Sequence, residues 1–388
     1  MVPPTMRICL IYDCLYPYTV GGAERWYGAL ARRLADAGHE VTYLTRRQWD
    51  PADPPRIPGV RVVAVSPGGP LYTDDGRRAI GPPLRFGLGV LRHLLRHRRA
   101  YDAVHTCSFP YFSLLAARVA LAGRRVPVSV DWFEVWSRDY WVEYLGARAG
   151  RIGEAVQRLC MRLTAQAFVF SRLYAARLRD EGLRGEVREL SGLYEGTPDG
   201  GAATGDRAPL VVFAGRHIPE KRVPAVPEAI ALARREVPEL RGLILGDGPD
   251  REAVLAAIAR AGLEAVVEAP GFVEPGEVAA ALARATCLVL PSVREGYGLV
   301  VIEAAAAGTP SVVARAPDNA AVELVEEGVN GVVAASPDPA DLAAAIERVH
   351  AQGAALRDRT REWYERNADR LSVDSSLAAV VESYSARR

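Results

Sequence analysis

Residues 287–304 run Cys287-Leu288-Val289-Leu290-Pro291-Ser292-Val293-Arg294-Glu295-Gly296-Tyr297-Gly298-Leu299-Val300-Val301-Ile302-Glu303-Ala304. The segment opens as a short, wholly apolar run and breaks at Pro291 and Ser292. After a glycine-bracketed turn it resumes as an apolar helix from Leu299. A short run without polar alternation is a strand buried on both faces, and sheets buried on both faces are parallel sheets whose strands are joined by helices. The same unit recurs outward in both directions. Toward the C-terminus come a strand at 311–314 and a helix at 339–351. Toward the N-terminus, strands at 210–214, 242–245 and 266–268 alternate with helices near 226–237, 250–261 and 276–283.

Between 192 and 209 the sequence is Gly-, Pro-, Thr- and Asp-rich and nearly free of aliphatic residues, which reads as an exposed linker. Upstream of it the alternation is present again. Strands are expected at 7–12, 41–45, 60–65, 103–106, 126–130 and 167–170, with helices at 23–37, 84–98, 112–122 and 152–165. The reading is an α/β protein with two Rossmann-like parallel-sheet domains, 1–191 and 210–362, followed by an amphipathic helical tail over 363–388. A length of 388 residues accommodates two such domains. Ligands of such sheets bind beyond the carboxyl ends of the strands, here where two domains face one another.

Composition excludes several classes. Lys and Arg number 48 against 47 Asp and Glu, so no bulk positive field recruits nucleic acid. No run approaches the ~20 apolar residues of a membrane span. The first ten residues lack a signal-peptide layout, and an odd count of five cysteines suits a reducing cytoplasm. Cys9 and Cys287 fall in strand-like runs as small core residues. Six histidines without clustering give no metal-ligand spacing.

Four segments carry candidate chemistry. In the opening segment, Glu295 and Glu303 are eight residues apart, about 80° out of phase on a helix. Glu295 is therefore expected in the loop and Glu303 on the helix, whose free amides near Gly296, Tyr297, Gly298 and Leu299 suit a phosphate. Glu303 needs a partner in its apolar helix: ligand hydroxyls, a core arginine or a cap. The second segment is Gly215-Arg216-His217-Ile218-Pro219-Glu220-Lys221, two cations leaving the end of a strand behind a glycine. Arg grips phosphate oxygens in pairs and Lys acts as a mobile point charge, so the two fit a departing diphosphate. Third, Gly21-Gly22-Ala23-Glu24 opens backbone amides at the start of a helix. Fourth, Gly246-Asp247-Gly248-Pro249 is a strand-to-helix turn with Arg251 where a third glycine would complete a dinucleotide fingerprint.

Taken in order, these segments resemble the family 4 retaining glycosyltransferases of GT-B fold, nearly end to end. The resemblance also takes in Gly308-Thr309-Pro310, Glu323-Leu324-Val325, Asn330-Gly331 and the tail, which looks like the family's last helix crossing back to the first domain. It implies that the second domain binds a nucleotide-diphosphate sugar. Arg216 and Lys221 would hold the diphosphate, Glu303 the ribose and Glu295 the donor sugar. The backbone of Gly296, Tyr297, Gly298 and Leu299 would meet sugar and diphosphate, Gly271-Phe272-Val273 the base, and Gly21 and Gly22 the donor from the acceptor domain. It implies same-face transfer to a glycan, lipid-linked sugar or small-metabolite hydroxyl, no cofactor and no metal for chemistry. Two positions depart from the family pattern: Cys107, two residues after His105, and Asp131, each where a histidine is common. Asp131 would orient or deprotonate an acceptor hydroxyl, or cap the next helix; His105 is a second candidate. Glu134 and Glu143 read as surface or packing residues.

Two alternatives share the architecture: a sugar-nucleotide 2-epimerase and a weakly active sugar-nucleotide-binding relative. The region 84–99 interleaves Arg85, Arg92, Arg96, Arg98 and Arg99 with leucines, which fits either an ordinary solvated helix or peripheral contact at the inner face of a membrane.

Overall fold

The computed structural model describes residues 5–69, 79, 81–196 and 209–385. Most of the expected linker, residues 197–208, lies outside them. The chain divides into two compact units, Met1–Leu193 with Val373–Arg388, and Tyr194–Ser372.

The first unit contains β1 (Arg7–Ile11), α1 (Gly22–Asp36), β2 (Glu40–Arg46), β3 (Val60–Ser66), α2 (Gly81–Arg96), β4 (Ala103–Cys107) and α3 (Phe112–Ala120). It continues with β5 (Val128–Trp132), α4 (Arg138–Leu145), α5 (Ala147–Leu163), β6 (Gln166–Val169), α6 (Arg172–Asp180) and β7 (Glu186–Glu189). All strand pairs are parallel, in the order β3-β2-β1-β4-β5-β6-β7. The core strands β1, β4, β5 and β6 are buried almost throughout, which explains their unbroken apolar runs.

The second unit contains β8 (Leu210–Ala214), α7 (Ala225–Ala233), β9 (Arg241–Leu245), α8 (Arg251–Arg260), β10 (Val267–Gly271), α9 (Pro275–Arg284) and β11 (Cys287–Leu290). Then come β12 (Arg294–Glu295), α10 (Leu299–Ala306), β13 (Ser311–Ala314), β14 (Asp318–Asn319), β15 (Gly331–Ala334) and α11 (Pro339–Leu371). Its main sheet is parallel in the order β10-β9-β8-β11-β13-β15, and β12 pairs separately with β14. α11 kinks at Gly353, where φ is 52°, and its Arg357 crosses to the end of α9. There it donates to the carbonyls of Ala283 and Ala285, backbone groups that α9 itself leaves open.

Strand order reverses between β1 and β4 and again between β8 and β11. A crevice opens at such a switch point because the flanking helices leave for opposite faces. The tail does not leave the second unit at 363, as expected from sequence. α11 continues to Leu371, and only α12 (Val373–Ser385) belongs to the first unit, where Val373, Val380 and Tyr384 are buried. The second unit closes on itself at the same place: Tyr194 N donates to Leu371 O at 3.1 Å.

Candidate active site

The second unit assembles its candidate residues at the β8/β11 switch point. β8 ends at Ala214 and delivers Gly215 and the exposed Arg216; a 3-10 turn, Pro219–Lys221, then presents Lys221. β11 delivers Ser292, and Glu295 follows on β12 rather than in a free loop as expected. The correction has a clear cause. Arg294, 6% exposed, pairs with Asp318 at 2.6 Å, and Asn319 Nδ2 donates to the carbonyls of Ser292 and Ala314 at 2.9 and 2.8 Å. These contacts draw 294–295 into register with 318–319. Asp318 and Asn319 were missed in the sequence because a two-residue parallel bridge has no periodicity to read.

Lys221 and Glu295 meet directly: Lys221 Nζ donates to Glu295 Oε2, and both side chains are less than a fifth exposed. Ser292 Oγ donates to the same oxygen at 3.4 Å. The backbone fixes the pair from both sides, since Val293 N donates to Glu220 O at 2.9 Å. A half-buried cation and anion in contact at the mouth of a sheet can each exchange partner for a charged, hydroxyl-bearing ligand. Beyond Glu295, Gly298 caps α10 in the left-handed region, φ 96°. A Cβ there would stand 2.5 Å from that of Ala321. Tyr297 is buried, which pushes its phenol up against the opposing influence of Arg370. Glu303 lies on α10, as expected, and is half-buried with a partner.

The neighbouring strand ends are stitched together through backbone. Gly215 N donates to Leu245 O at 3.0 Å, His217 N to Asp247 O at 2.8 Å and Gly246 N to Gly271 O at 2.8 Å. Gly246, with φ 120°, sits so close that a Cβ would lie 1.9 Å from Gly215 O. The weak glycine turn in the sequence is thus required by the approach of three strand ends. His217 is fully buried, and burial, then the charge of Arg251, hold it toward the neutral form. Arg251 donates to Ala269 O at 3.1 Å and lies against Gly271, whose φ is 97°. Beyond that turn, Phe272 is 59% exposed.

In the first unit, Gly21 caps α1 in extended backbone and open space surrounds the Cβ position of Gly22. Glu24 folds back over Gly21 and accepts from Tyr12 O–H at 3.2 Å. His105 and Asp131 require correction as acceptor-handling residues, and Cys107, given no role by the sequence, lies with them. All three are fully buried. Trp26 Nε1 donates to Asp131 Oδ2 at 2.7 Å, His105 Nε2 lies 2.8 Å from Asp131 Oδ1, off the line of the ring N–H, and His105 Nδ1 lies 2.6 Å from the Tyr384 hydroxyl. Asp131 neither caps α4 nor reaches the surface; Ser137 takes the capping position. The group is a polar knot joining α1, β4, β5 and α12. Among the described residues no group of three or more His, Cys, Asp or Glu is placed to hold a metal ion.

With this geometry in place, similarity to known proteins is informative. Residues 202–368 match the family of glycosyl transferases group 1, and residues 21–190 match the glycosyl transferase 4-like domain. The D-inositol 3-phosphate glycosyltransferase of Streptomyces scabiei is 34% identical over 322 residues, covering 76% of this chain and 71% of that protein. This chain is a group 1 glycosyltransferase of the GT4 type. The glycogen synthase of Mycobacterium tuberculosis is 28% identical over 99% of this chain and 95% of its own. Sucrose-phosphate synthase from Thermosynechococcus elongatus superposes with a TM-score of 0.81 at 21% identity over 98% of both chains. Anabaena HepE in complex with UDP-glucose gives 0.71 at 19% identity, over 98% of this chain and 100% of that one. These likenesses place the glycosyltransferase on the GT-B fold, whose two parallel-sheet α/β domains are the two units described above.

Proposed function

We propose that this glycosyltransferase takes a nucleotide-diphosphate sugar in its second unit and passes the sugar, with retention of anomeric configuration, to a hydroxyl acceptor. The observation that carries the reading is the Lys221–Glu295 contact at the switch point, one charge suited to diphosphate and one to sugar hydroxyls. Support for the donor class comes from HepE, a protein of like fold that binds UDP-glucose.

In this reading the donor separates the pair. Lys221 moves from carboxylate to diphosphate, joined by Arg216, and Glu295 turns its freed oxygens to the hydroxyls of the sugar. Glu303 faces the ribose, and the turn Gly271-Phe272-Val273 faces the base. The bond from anomeric carbon to diphosphate oxygen breaks with its electron pair going to the diphosphate. The acceptor oxygen bonds to the same face of that carbon, and its proton passes to the departing diphosphate. Charge builds on the leaving group in the transition state, so fixed cations there lower the barrier. No two-carboxylate scheme of the glycosidase kind is needed, and no metal takes part.

Incubating the enzyme with a panel of α-linked UDP- and GDP-sugars and simple alcohol acceptors, followed by NMR of the product, tests this. The expected product carries an α-anomeric proton and is accompanied by one equivalent of nucleoside diphosphate. A β-linked product, or sugar released without nucleoside diphosphate, overturns the reading.

A further inference from the structure

We infer that an aromatic shelf in the first unit, built by Phe109, Trp136, Tyr140 and Tyr144 with the carboxylate of Glu134, seats the sugar ring of an unphosphorylated glycoside acceptor. The inference rests on the transfer reading above and narrows its acceptor from any hydroxyl to one carried on a pyranose. β4 and β5 run parallel with Cys107 opposite Asp131, so the residues that follow the two strands leave the sheet side by side. Phe109 comes after β4, and Glu134 and Trp136 come after β5. They share the carboxyl edge of the sheet with the segment from β1 to Gly21 and Gly22, and ligands of parallel sheets lie beyond that edge.

The rings form a pile with a buried base and a partly open top. Trp136 stacks on Phe109 at 5.7 Å and 29°, and meets Tyr140 and Tyr144 edge-on at 4.7 and 5.2 Å. These four residues are half-buried. Trp141, 4.6 Å from Trp136, and Tyr111, 5.7 Å from Phe109, are buried and support them. Gln157, fully buried on α5, pins the shelf by its backbone: its Oε1 accepts from Trp136 N at 3.1 Å and its Nε2 donates to Trp136 O at 2.9 Å. The same Oε1 accepts from Tyr111 O–H at 2.9 Å. A partly exposed indole held at both of its backbone groups is a preorganised platform, which lowers the ordering cost of binding.

Chemistry at the edge of the shelf selects the occupant. Trp136 Nε1 donates to Glu134 Oε2 at 3.0 Å, which fixes a carboxylate beside the ring. A carboxylate accepts more hydrogen bonds than the one an indole supplies. A pyranose meets both features, with the C–H groups of its face on the aromatic ring and the hydroxyls of its rim on the carboxylate. An aliphatic alcohol would cover Glu134 without pairing it, at a desolvation cost. A phosphorylated acceptor would meet the wrong charge: residues 133–145 hold Glu134, Asp139 and Glu143 against one arginine, Arg138, which lies 3.4 Å from Glu154.

The test runs the full chain at saturating UDP- or GDP-sugar with methyl α-glucopyranoside, methyl α-mannopyranoside, n-butanol and a hexose monophosphate as acceptors. At least one methyl pyranoside should be used with a kcat/KM about tenfold or more above the alcohol and the phosphate. Trp136→Leu should raise the acceptor KM about tenfold, the worth of one ring contact, against an unshifted donor KM. Glu134→Gln keeps the shape of the shelf and should raise the acceptor KM about fivefold, since a neutral acceptor makes the weaker hydrogen bond. The shelf is overturned if butanol or the phosphate serves as well as the pyranosides, or if Glu134→Gln keeps the wild-type acceptor KM. Absence of nucleoside diphosphate release with every donor, even by hydrolysis, counts instead against the transfer reading. Saturation-transfer NMR of the methyl pyranosides, which needs no turnover, then decides the shelf: equal transfer to wild type and to Trp136→Leu overturns it.

Discussion

At the scale of single residues, the Lys221–Glu295 contact concentrates the consequences. Lys221→Ala should reduce turnover by about two to three orders of magnitude, as loss of one transition-state charge stabiliser does elsewhere, measured by nucleoside diphosphate release. Because the two side chains share one contact, Lys221→Ala and Glu295→Ala should be non-additive in a double-mutant cycle. Additive losses would mean that the pair acts as two independent groups. Asp318→Ala should cost about 3 kcal/mol of unfolding free energy in urea, since it removes the carboxylate that the buried Arg294 holds at 2.6 Å. The sequence made Lys221, Glu295 and Glu303 legible because each stands next to a strand end or helix start that its neighbours announce. Asp318 and Arg294 were not legible as partners: their meeting depends on chain paths 24 residues apart. His105 and Asp131 misled for a related reason. Strand-end polar residues read as site residues, and nothing local reveals that Trp26 and Tyr384 close over them.

At the scale of elements, glycine turns and one helix carry testable weight. Gly246→Ala should destabilise the second unit by about 3 kcal/mol, because φ is 120° and the added methyl would meet Gly215 O. Its readout is a lower urea midpoint with unchanged m-value. In α2, His93 contacts Tyr101 O–H at 2.7 Å and stacks on His97 at 4.4 Å. Burial, then the charges of His97 and Arg61, lower its pKa from 6.5 to about 4. A depressed histidine stabilises the fold above the unfolded pKa, and that contribution drains away as pH falls toward the folded value. Thermal stability should therefore drop between pH 6.5 and 4, and His93→Gln should flatten that slope. An unchanged slope would assign the acid sensitivity to other groups. The core strands were legible as elements because burial on both faces leaves an apolar run. β7, with its polar pattern at the sheet edge, and α6, with little apolar character, were not.

At the scale of the whole molecule, the parallel-sheet architecture was readable from the alternation of elements, whereas the point of return was not. A helix that continues through 363 to 371 and one that stops there have the same amphipathic signature. Tyr384→Phe should destabilise the first unit by about 1–3 kcal/mol, by leaving a ring nitrogen of His105 without its partner. Ending the chain after Ser372 should unfold the first unit at lower temperature and leave the second unit able to bind UDP-sugars, read as a calorimetric transition that still rises with ligand. At a hundred times the dissociation constant the ligand adds roughly 2.7 kcal/mol. Because α12 belongs to the first unit while the second occupies one uninterrupted span, manufacture and folding run in different orders. On the ribosome, the first unit reaches its full stability only after α12 has been made. The middle of the polypeptide, whose two ends meet at Tyr194 and Leu371, is free to finish beforehand. A bulky group attached beside α12 would therefore burden the first unit, although the whole second unit separates α12 from the rest of it in sequence.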